Sequence, residues 1–292
     1  MTTLPIREEL RGLTAYGAPQ MQDVIALNTN ENPFHPPREF VEALAASVLE
    51  VAPTLNRYPD RDAVRLRDAL GAYVSAEAEV PLLGRACIWV ANGSNEVMLQ
   101  LLQAFGGPGR KALTFTPTYS MYEEYARDTF TEFVTVPRND DFTLDAAAAA
   151  GTVRLLKPDV VFLASPNNPT GTSMPLGVIE AVLSAFDGMV IVDEAYAEFR
   201  RPGVPSAVSL VAQHPRLVVS RTMSKAFGFA GARVGYLVAH PDVVEVLRIV
   251  RLPYHLSTIT QAVAMTALAH TGELKEQVRQ LRGERDALVD WF

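Results

Sequence analysis

The chain has 292 residues, 48% hydrophobic and 20% charged, a balance that excludes a disordered chain, a collagen-like chain and a disulfide scaffold. Lys and Arg number 26 and Asp and Glu 33, a formal charge of -7, so the chain lacks the electrostatic footprint of a general nucleic-acid binder. The length suggests roughly two domains. The one cysteine, Cys87, lies in an apolar run and reads as a small buried thiol, in keeping with a reducing compartment. No run is long and apolar enough to span a bilayer. The charged stretch Met1–Arg11 lacks the apolar core of a secretory signal, so the expected setting is the cytoplasm.

Residues 1–36 read as an extended arm, with Pro19, Pro33 and Pro36 and little periodicity. Glu39–Val51 is expected to be helical, with Phe40, Leu44, Val48 and Val51 on one side. Arg57–Asp60 breaks the chain, and Asp60 or Asp62 is placed to cap a helix carrying Val64, Leu66, Leu70 and Tyr73. Short apolar runs then alternate with helical stretches. Strand Ala86–Ala91 leads to helix Ser94–Phe105, strand Lys111–Phe115 to helix Ser120–Arg127, and strand Glu132–Val136 follows. The run Ala146–Ala150 suits a short helix. Strand Asp159–Ala164 precedes a helix around Leu176–Phe186, and strands Met189–Val192, Leu217–Ser220 and Val234–Val238 close the series. Such alternation indicates an α/β domain with a mostly parallel central sheet flanked by helices on both faces. After Pro241 the pattern turns helical over Val243–Val250, Thr258–Ala269 and Glu273–Trp291, the last with an amphipathic stripe of Leu274, Val278, Leu281, Arg285 and Leu288. The expected division is an arm over 1–36 and a large domain over 37–250, followed by the helical start of a small domain over 251–292. Helices from 37–75 are expected near that small domain.

In such sheets ligands bind beyond the carboxyl ends of the strands. After the first strand comes Asn92-Gly93-Ser94-Asn95-Glu96. Glycine permits a tight turn, Ser94 is expected to be an N-cap, and the free N–H groups of the next helix make an anion site. Many turns of this kind look the same, so this signal is weak alone. After Asp159–Ala164 comes Ser165–Gly171, where two prolines and a glycine fix the backbone and Asn167 and Asn168 offer side-chain donors. After Met189–Val192 comes Asp193, a carboxylate that is costly at the end of a buried strand unless a cation meets it. Tyr196, three residues on, can project a phenol into the same region. After Leu217–Ser220 come Arg221, Thr222, Ser224 and Lys225, then Arg233. Lysine becomes a nucleophile when its amine is deprotonated or held as an imine. Thr222, Ser224 and Arg233 are suited to holding a phosphate beside it. Singly, Lys225 is more often a solvated surface lysine; jointly, these groups describe a pocket for an aromatic phosphorylated aldehyde. That cofactor is pyridoxal phosphate, an electron sink bound through a lysine Schiff base with an acid at its ring nitrogen.

The stretches Ser165–Gly171, Asp193–Tyr196 and Thr222–Lys225, with Arg233, resemble those of the fold-type-I aminotransferases. Within them, Leu27–Pro33, Arg57–Asp60, Asn92–Glu96 and Arg251–His255 resemble the histidinol-phosphate aminotransferase family. The likeness runs from about Gly12 to His270. The resemblance implies a fold-type-I pyridoxal-phosphate-dependent transferase with roles residue by residue. Lys225 would join the cofactor and move the proton, and Asp193 would keep the ring nitrogen protonated. Asn168 and Tyr196 would hydrogen-bond the ring's phenolic oxygen, and Tyr119 would stack on the ring. Ser94, Asn95, Thr222, Ser224 and Arg233 would hold the phosphate. Tyr58 would reach the partner's cofactor across a homodimer. Tyr16, Asn30 and, more weakly, Tyr254 would line the substrate side. The implied reaction transfers an amino group between histidinol phosphate and 2-oxoglutarate in histidine biosynthesis, with only small molecules as substrates and neither nucleic acid nor membrane as partner.

Other constellations are poor. His35, His214, His240, His255 and His270 are scattered without metal-ligand spacing around Cys87. Gly228, Gly231 and Gly235 lack dinucleotide-binding spacing. Glu194 reads only as a neighbour of the acid. Chains of the family continue past the position of Phe292 through most of a small domain carrying a substrate-gripping arginine, which Arg248 and Arg251 do not match in position. The expectation is thus an incomplete small domain and impaired turnover. Three alternatives stay open: an aromatic-amino-acid aminotransferase, a cofactor-binding protein without full catalysis, and decarboxylation on the same fold.

Overall fold

The computed structural model describes residues 4–25 and 27–292. The chain divides into two compact units, one reaching to Glu31 and one over Asn32–Phe292. The first is mostly irregular. It has one 3-10 turn, Glu8–Leu10, an ion pair between Arg11 and Glu8 at 2.7 Å, and a hydrogen bond from the Asn28 amide to the Pro19 carbonyl at 3.0 Å.

The second unit is built on a seven-stranded sheet with α-helices on both faces. Its elements in chain order are α1 (Arg38–Val51), α2 (Val64–Glu77), β1 (Ile88–Ala91), α3 (Ser94–Phe105), β2 (Lys111–Thr116), α4 (Met121–Asp128), β3 (Glu132–Pro137) and α5 (Ala146–Leu156). Then follow β4 (Val160–Ala164), α6 (Leu176–Leu183), β5 (Met189–Asp193), β6 (Leu217–Thr222), β7 (Gly235–Ala239), α7 (Pro241–Val250), α8 (Thr258–Ala269) and α9 (Thr271–Trp291). The strand order is β1-β7-β6-β5-β4-β2-β3. Neighbours from β6 to β3 pair in parallel, and β7 runs against both β6 and β1. The sheet is therefore mostly parallel, as the alternation of runs predicts. The reversal at β7 follows from its connection: residues 223–234 contain only a short 3-10 turn at Ala230–Ala232, without the helical crossover that a parallel return uses.

Every residue of β4, β5, β6 and β7 is buried. Side chains alternate between two apolar cores. One, with Val161, Leu163, Val190, Val192 and Val219, packs beneath Phe40 of α1, Leu66 of α2, Val178 of α6 and Leu274 of α9. The other, with Phe162, Ile191 and Val218, packs beneath Val97 and Leu101 of α3, Tyr122 of α4 and Leu247 of α7. Each such aliphatic side chain taken from water contributes about 1.5–3 kcal/mol, and the double cover explains why the strands read as unbroken apolar runs.

Three expectations need correction. The first strand begins at Ile88, because Arg85–Cys87 is a 3-10 turn; Cys87 is therefore half-buried rather than a core thiol. The helix after Pro175 ends at Leu183, where the next residues turn and the carbonyls of Leu183, Phe186 and Gly188 accept from the Arg216 guanidinium. Ser94 is not a cap: Gly93 holds that position and Ser94 opens α3. Of the two candidate caps for α2, Asp60 is the one that accepts the Val64 N–H, at 2.8 Å.

Candidate functional site

The parallel strands end together, and their registers bring the motifs side by side. Ala164 pairs with Asp193, Asp193 with Ser220, Thr222 with Gly235 and Gly235 with Ala91. The loop Ser165–Gly171, the acid, the hydroxyl-lysine segment and the turn before α3 therefore occupy one edge of the sheet.

Asp193 is a buried carboxylate there, only 7% exposed. Tyr122 of α4 donates its hydroxyl to Oδ2 at 2.9 Å, and the Ala195 N–H donates to Oδ1 at 3.1 Å. Burial pushes the carboxyl up to about 6; the two hydrogen bonds hold it down only in part. An acid raised in this way is set to receive a cation, which would restore its ionised form. Tyr122 is fully buried and stacks on Phe162 of β4 with ring centroids 4.7 Å apart. Burial and the adjacent Asp193 carboxyl raise its phenol, keeping it a proton-bearing donor. Sequence reasoning missed Tyr122, which lies in the first turn of α4.

Tyr119 meets Tyr122 edge to face, with ring centroids 5.6 Å apart. Its hydroxyl lies 3.5 Å from Oδ1 of Asn95. Tyr119 thus lies between the start of α3 and the Asp193 environment. Of the two loop asparagines, Asn167 is buried and committed to the loop itself. Its amide donates to the Pro117 carbonyl and the Thr170 hydroxyl, and its Oδ1 accepts from Thr118 and Arg138. Asn168 is half-buried, and among the described residues its side chain makes no hydrogen bond, which leaves its amide available to a ligand. Tyr196 and Lys225 are half-buried, three residues beyond Asp193 and Thr222 respectively.

The groups suited to an anion come from three elements. No side chain caps α3, so the N–H groups of its first turn remain the free donors of a helix start. Thr222 donates to Ser224 at 3.0 Å, and Arg233 reaches Ser224 at 3.5 Å. Gly93 has φ +86°, and a Cβ there would lie 2.5 Å from the Arg233 guanidinium. A Cβ at Gly235 would lie 2.1 Å from the Ser94 nitrogen. Two glycines therefore let Arg233 and β7 close on the helix start. Arg233 itself has φ +55°, a strained conformation for a residue with a side chain, of the kind concentrated at binding sites. The cradle of N–H groups, hydroxyls and a guanidinium fits a phosphate, and the acid and the lysine fit a pyridine aldehyde.

Other sequence-predicted residues lie elsewhere. Tyr58 is 80% exposed and stacks on Tyr254 at 4.5 Å between centroids, with the rings 17° apart. Tyr16 and Asn30 belong to the first unit. Arg251 is committed to Asp62 at 2.8 Å and lies over the Trp89 ring. The Asn92 amide donates to the His255 carbonyl at 2.8 Å, so the 57–62, 92–96 and 251–255 segments are tied together. Glu194, expected to be a bystander, is instead a buried partner of Arg221 at 2.8 Å. The correction follows from strand alternation: the residue after Asp193 points through the opposite face of the sheet. Among the described residues, no group of three His, Cys, Asp or Glu is placed to hold a metal. No helix there is long and apolar enough to cross a membrane.

A buried acid on one strand end, a lysine beyond the next strand and an arginine beside an uncapped helix start fit a pyridoxal-phosphate-dependent enzyme of the fold-type-I class. The chain belongs to the aminotransferase class I and II family, whose model matches residues 22–292, and it is a pyridoxal-phosphate-dependent transaminase. It is 58% identical over 289 residues to the histidinol-phosphate aminotransferase of Thermobifida fusca, covering 99% of this chain and 77% of that one. It is 54% identical over 292 residues to histidinol-phosphate aminotransferase 3 of Burkholderia lata, covering 100% and 79%. Among solved structures, it resembles the histidinol-phosphate aminotransferase of Sinorhizobium meliloti in complex with pyridoxal-5'-phosphate. That match has a TM-score of 0.77 and 25% identity, covering 89% of this chain and 68% of that one.

Proposed function

We propose that this enzyme transaminates histidinol phosphate, exchanging its amino group with the glutamate/2-oxoglutarate pair in histidine biosynthesis. The observation that carries the choice of substrate is the 58% identity to a histidinol-phosphate aminotransferase over 99% of the chain. The aromatic-amino-acid alternative has no comparable support.

Pyridoxal phosphate supplies, when bound, an electron sink for the carbanion formed at the amine-bearing carbon of the substrate. Lys225 takes the proton from that carbon and returns it within the site. Asp193 holds the proton at the ring nitrogen, and its burial makes that charge pairing strong. Asn168 and Tyr196 bind the phenolic oxygen, and Tyr119 stacks on the ring. The Ser94 and Asn95 N–H groups, with Thr222, Ser224 and Arg233, bind the phosphate. Tyr254 lines the substrate side. The functional unit is a homodimer in the cytoplasm, with Tyr58 of the partner subunit completing the phosphate site. The exposed Tyr58–Tyr254 stack supports that assignment, because a rigid aromatic pair is suited to an interface.

Two measurements test this. Borohydride reduction of the cofactor-loaded protein should give a covalent adduct that Lys225→Ala abolishes; an unchanged adduct rejects the lysine assignment. In single turnover, histidinol phosphate should bleach the bound cofactor's absorbance faster than phenylalanine, and the reverse order overturns the substrate reading.

A further inference from the structure

Asp193 and Thr222 face the α3–α4 side of the sheet. The residues beside them, Glu194 and Arg221, face the α2 side, where they build a second polar cluster separate from the site described above. Arg221 is 1% exposed. Its Nε and Nη2 donate to Oε2 of Glu194 at 3.0 and 2.8 Å, Nη2 also donates to the Ser206 hydroxyl at 2.9 Å, and Nη1 donates to Glu77 at the end of α2. Glu194 in turn accepts from the Ser206 hydroxyl at 2.8 Å and from the Ala207 N–H at 2.7 Å. Arg200 closes the ring, 2.7 Å from Glu77 and 3.6 Å from Glu194. Tyr73 of α2 donates to Glu198 at 3.0 Å. Burial opposes the charge on both Arg221 and Glu77, but their mutual attraction and the other charges of the cluster outweigh it, holding Arg221 well above and Glu77 below their ordinary ranges. Both therefore stay ionised.

Such a cluster is a poor source of stability, since apolar side chains of similar volume often do as well or better. Its content is directional. The fork of one guanidinium fixes the end of β5 to the end of β6, and both to α2 and to the Ser206–Ala207 turn. The residues so fixed are next to the ones that meet the cofactor: Glu194 precedes Tyr196 by two positions, and Arg221 precedes Lys225 by four. Glu194 and Glu198 flank Tyr196, so that tyrosine sits on a segment held on both sides.

We propose that Arg221 is a positioning residue for the reaction, setting from the reverse face of the sheet the spacing between the Asp193–Tyr196 and Thr222–Lys225 segments. The proposal rests on the reading that those segments hold pyridoxal phosphate. The adduct test on Lys225→Ala checks that reading separately, whatever Arg221 does.

The test uses Glu194→Gln/Arg221→Met, which removes the fork without leaving the Glu194 carboxylate unpaired, and Arg221→Lys, which keeps the charge and loses the bidentate geometry. The readouts are the pyridoxal-phosphate dissociation constant, the pH midpoint of the bound cofactor's visible absorbance, and the melting temperature of the cofactor-free protein. Misplacing groups that meet a reacting centre costs one to two orders of magnitude. The double variant should bind cofactor about tenfold more weakly and move the absorbance midpoint by about one pH unit. Arg221→Lys should shift both in the same direction by a smaller amount, at a melting temperature near that of the parent. A folded variant of either kind with unchanged affinity and midpoint overturns the proposal, and so does a loss confined to melting temperature. If the double variant does not fold, Arg221→Lys decides alone.

Discussion

The Tyr122 hydroxyl donates to Oδ2 of Asp193 at 2.9 Å from a fully buried position on α4. That bond joins the helix carrying one side of the site to the strand carrying the other. It is also the main opposition to the burial that pushes Asp193 up to about 6. A hydrogen bond to a charged acceptor favours the charged form, so Tyr122 favours the ionised Asp193 that the proposed pairing with the cofactor's ring nitrogen needs.

Tyr122→Phe removes the donor and keeps the ring that stacks on Phe162. A lost hydrogen bond to a charged group costs about 1.5–3 kcal/mol, so Asp193 should rise further. The acidic limb of the pH–kcat/KM profile should move to higher pH, and kcat at pH 7 should fall roughly tenfold. An unchanged acidic limb in a folded variant would show that Tyr122 does not act through Asp193.

Asp193 also ties stability to pH in the cofactor-free protein. Its folded-state value lies above the ordinary 3.8. The native state therefore favours the neutral carboxyl, whose stabilising contribution is present at low pH and is lost as pH rises through about 6. The rise corresponds to about 3 kcal/mol at most. Asp193→Asn, neutral at every pH, should match the parent in denaturant melts near pH 4 and exceed it near pH 8. With cofactor the order should reverse, because the variant has no charge for the ring nitrogen. Equal stabilities at both pH values in the cofactor-free proteins would show that Asp193 carries no such strain.

The sheet and the grouping of the candidate residues at one of its edges were legible because their signals are local. Apolar runs such as Val160–Ala164 are followed by Pro, Asn or acidic residues, and those endings are the ones the strand registers bring together. The reverse face was not legible in the same way. Glu194 and Arg221 adjoin Asp193 and Thr222 in sequence, and read along the chain they look like neighbours of one site. Period-two alternation separates them by the thickness of the sheet, which becomes informative only once the strands are paired. Tyr122 shares an amphipathic helix with Tyr125, where a core tyrosine is the commoner meaning. The residue types alone did not separate Asn167 from Asn168; the resemblance chose Asn168, and the loop's own hydrogen bonds show that Asn167 is committed elsewhere.

Arg233 should act on the phosphate and not on the ring. Arg233→Met removes a cation that reaches Ser224 at 3.5 Å beside the uncapped start of α3. A charge-assisted contact of this kind is worth about 1.5–3 kcal/mol, so pyridoxal phosphate should bind roughly tenfold to a hundredfold more weakly. Pyridoxal, which lacks the phosphate, should bind the variant and the parent equally. Equal weakening of both ligands would place Arg233 outside the phosphate site.

Gly235 should be the least replaceable residue near the site even though it touches no substrate. It pairs with Ala91 on one side and Thr222 on the other. An added Cβ would meet the Ser94 nitrogen at 2.1 Å and the Gly93 carbonyl carbon at 2.2 Å. Both are backbone atoms of the turn that opens α3, so no side-chain rotation relieves the overlap. Gly235→Ala must push the helix start away from β7, enlarging the cradle that the Ser94 and Asn95 N–H groups share with Thr222 and Arg233. Overpacking of this kind costs about 1–3 kcal/mol of stability. The more telling outcome is the ligand pattern: phosphate-dependent affinity should be lost even at temperatures where the variant is folded, while pyridoxal binding persists. Gly231→Ala, where a Cβ meets nothing within 4 Å, serves as the control and should leave both affinities unchanged. Full retention of pyridoxal-phosphate affinity in Gly235→Ala would mean that the helix start does not hold the phosphate.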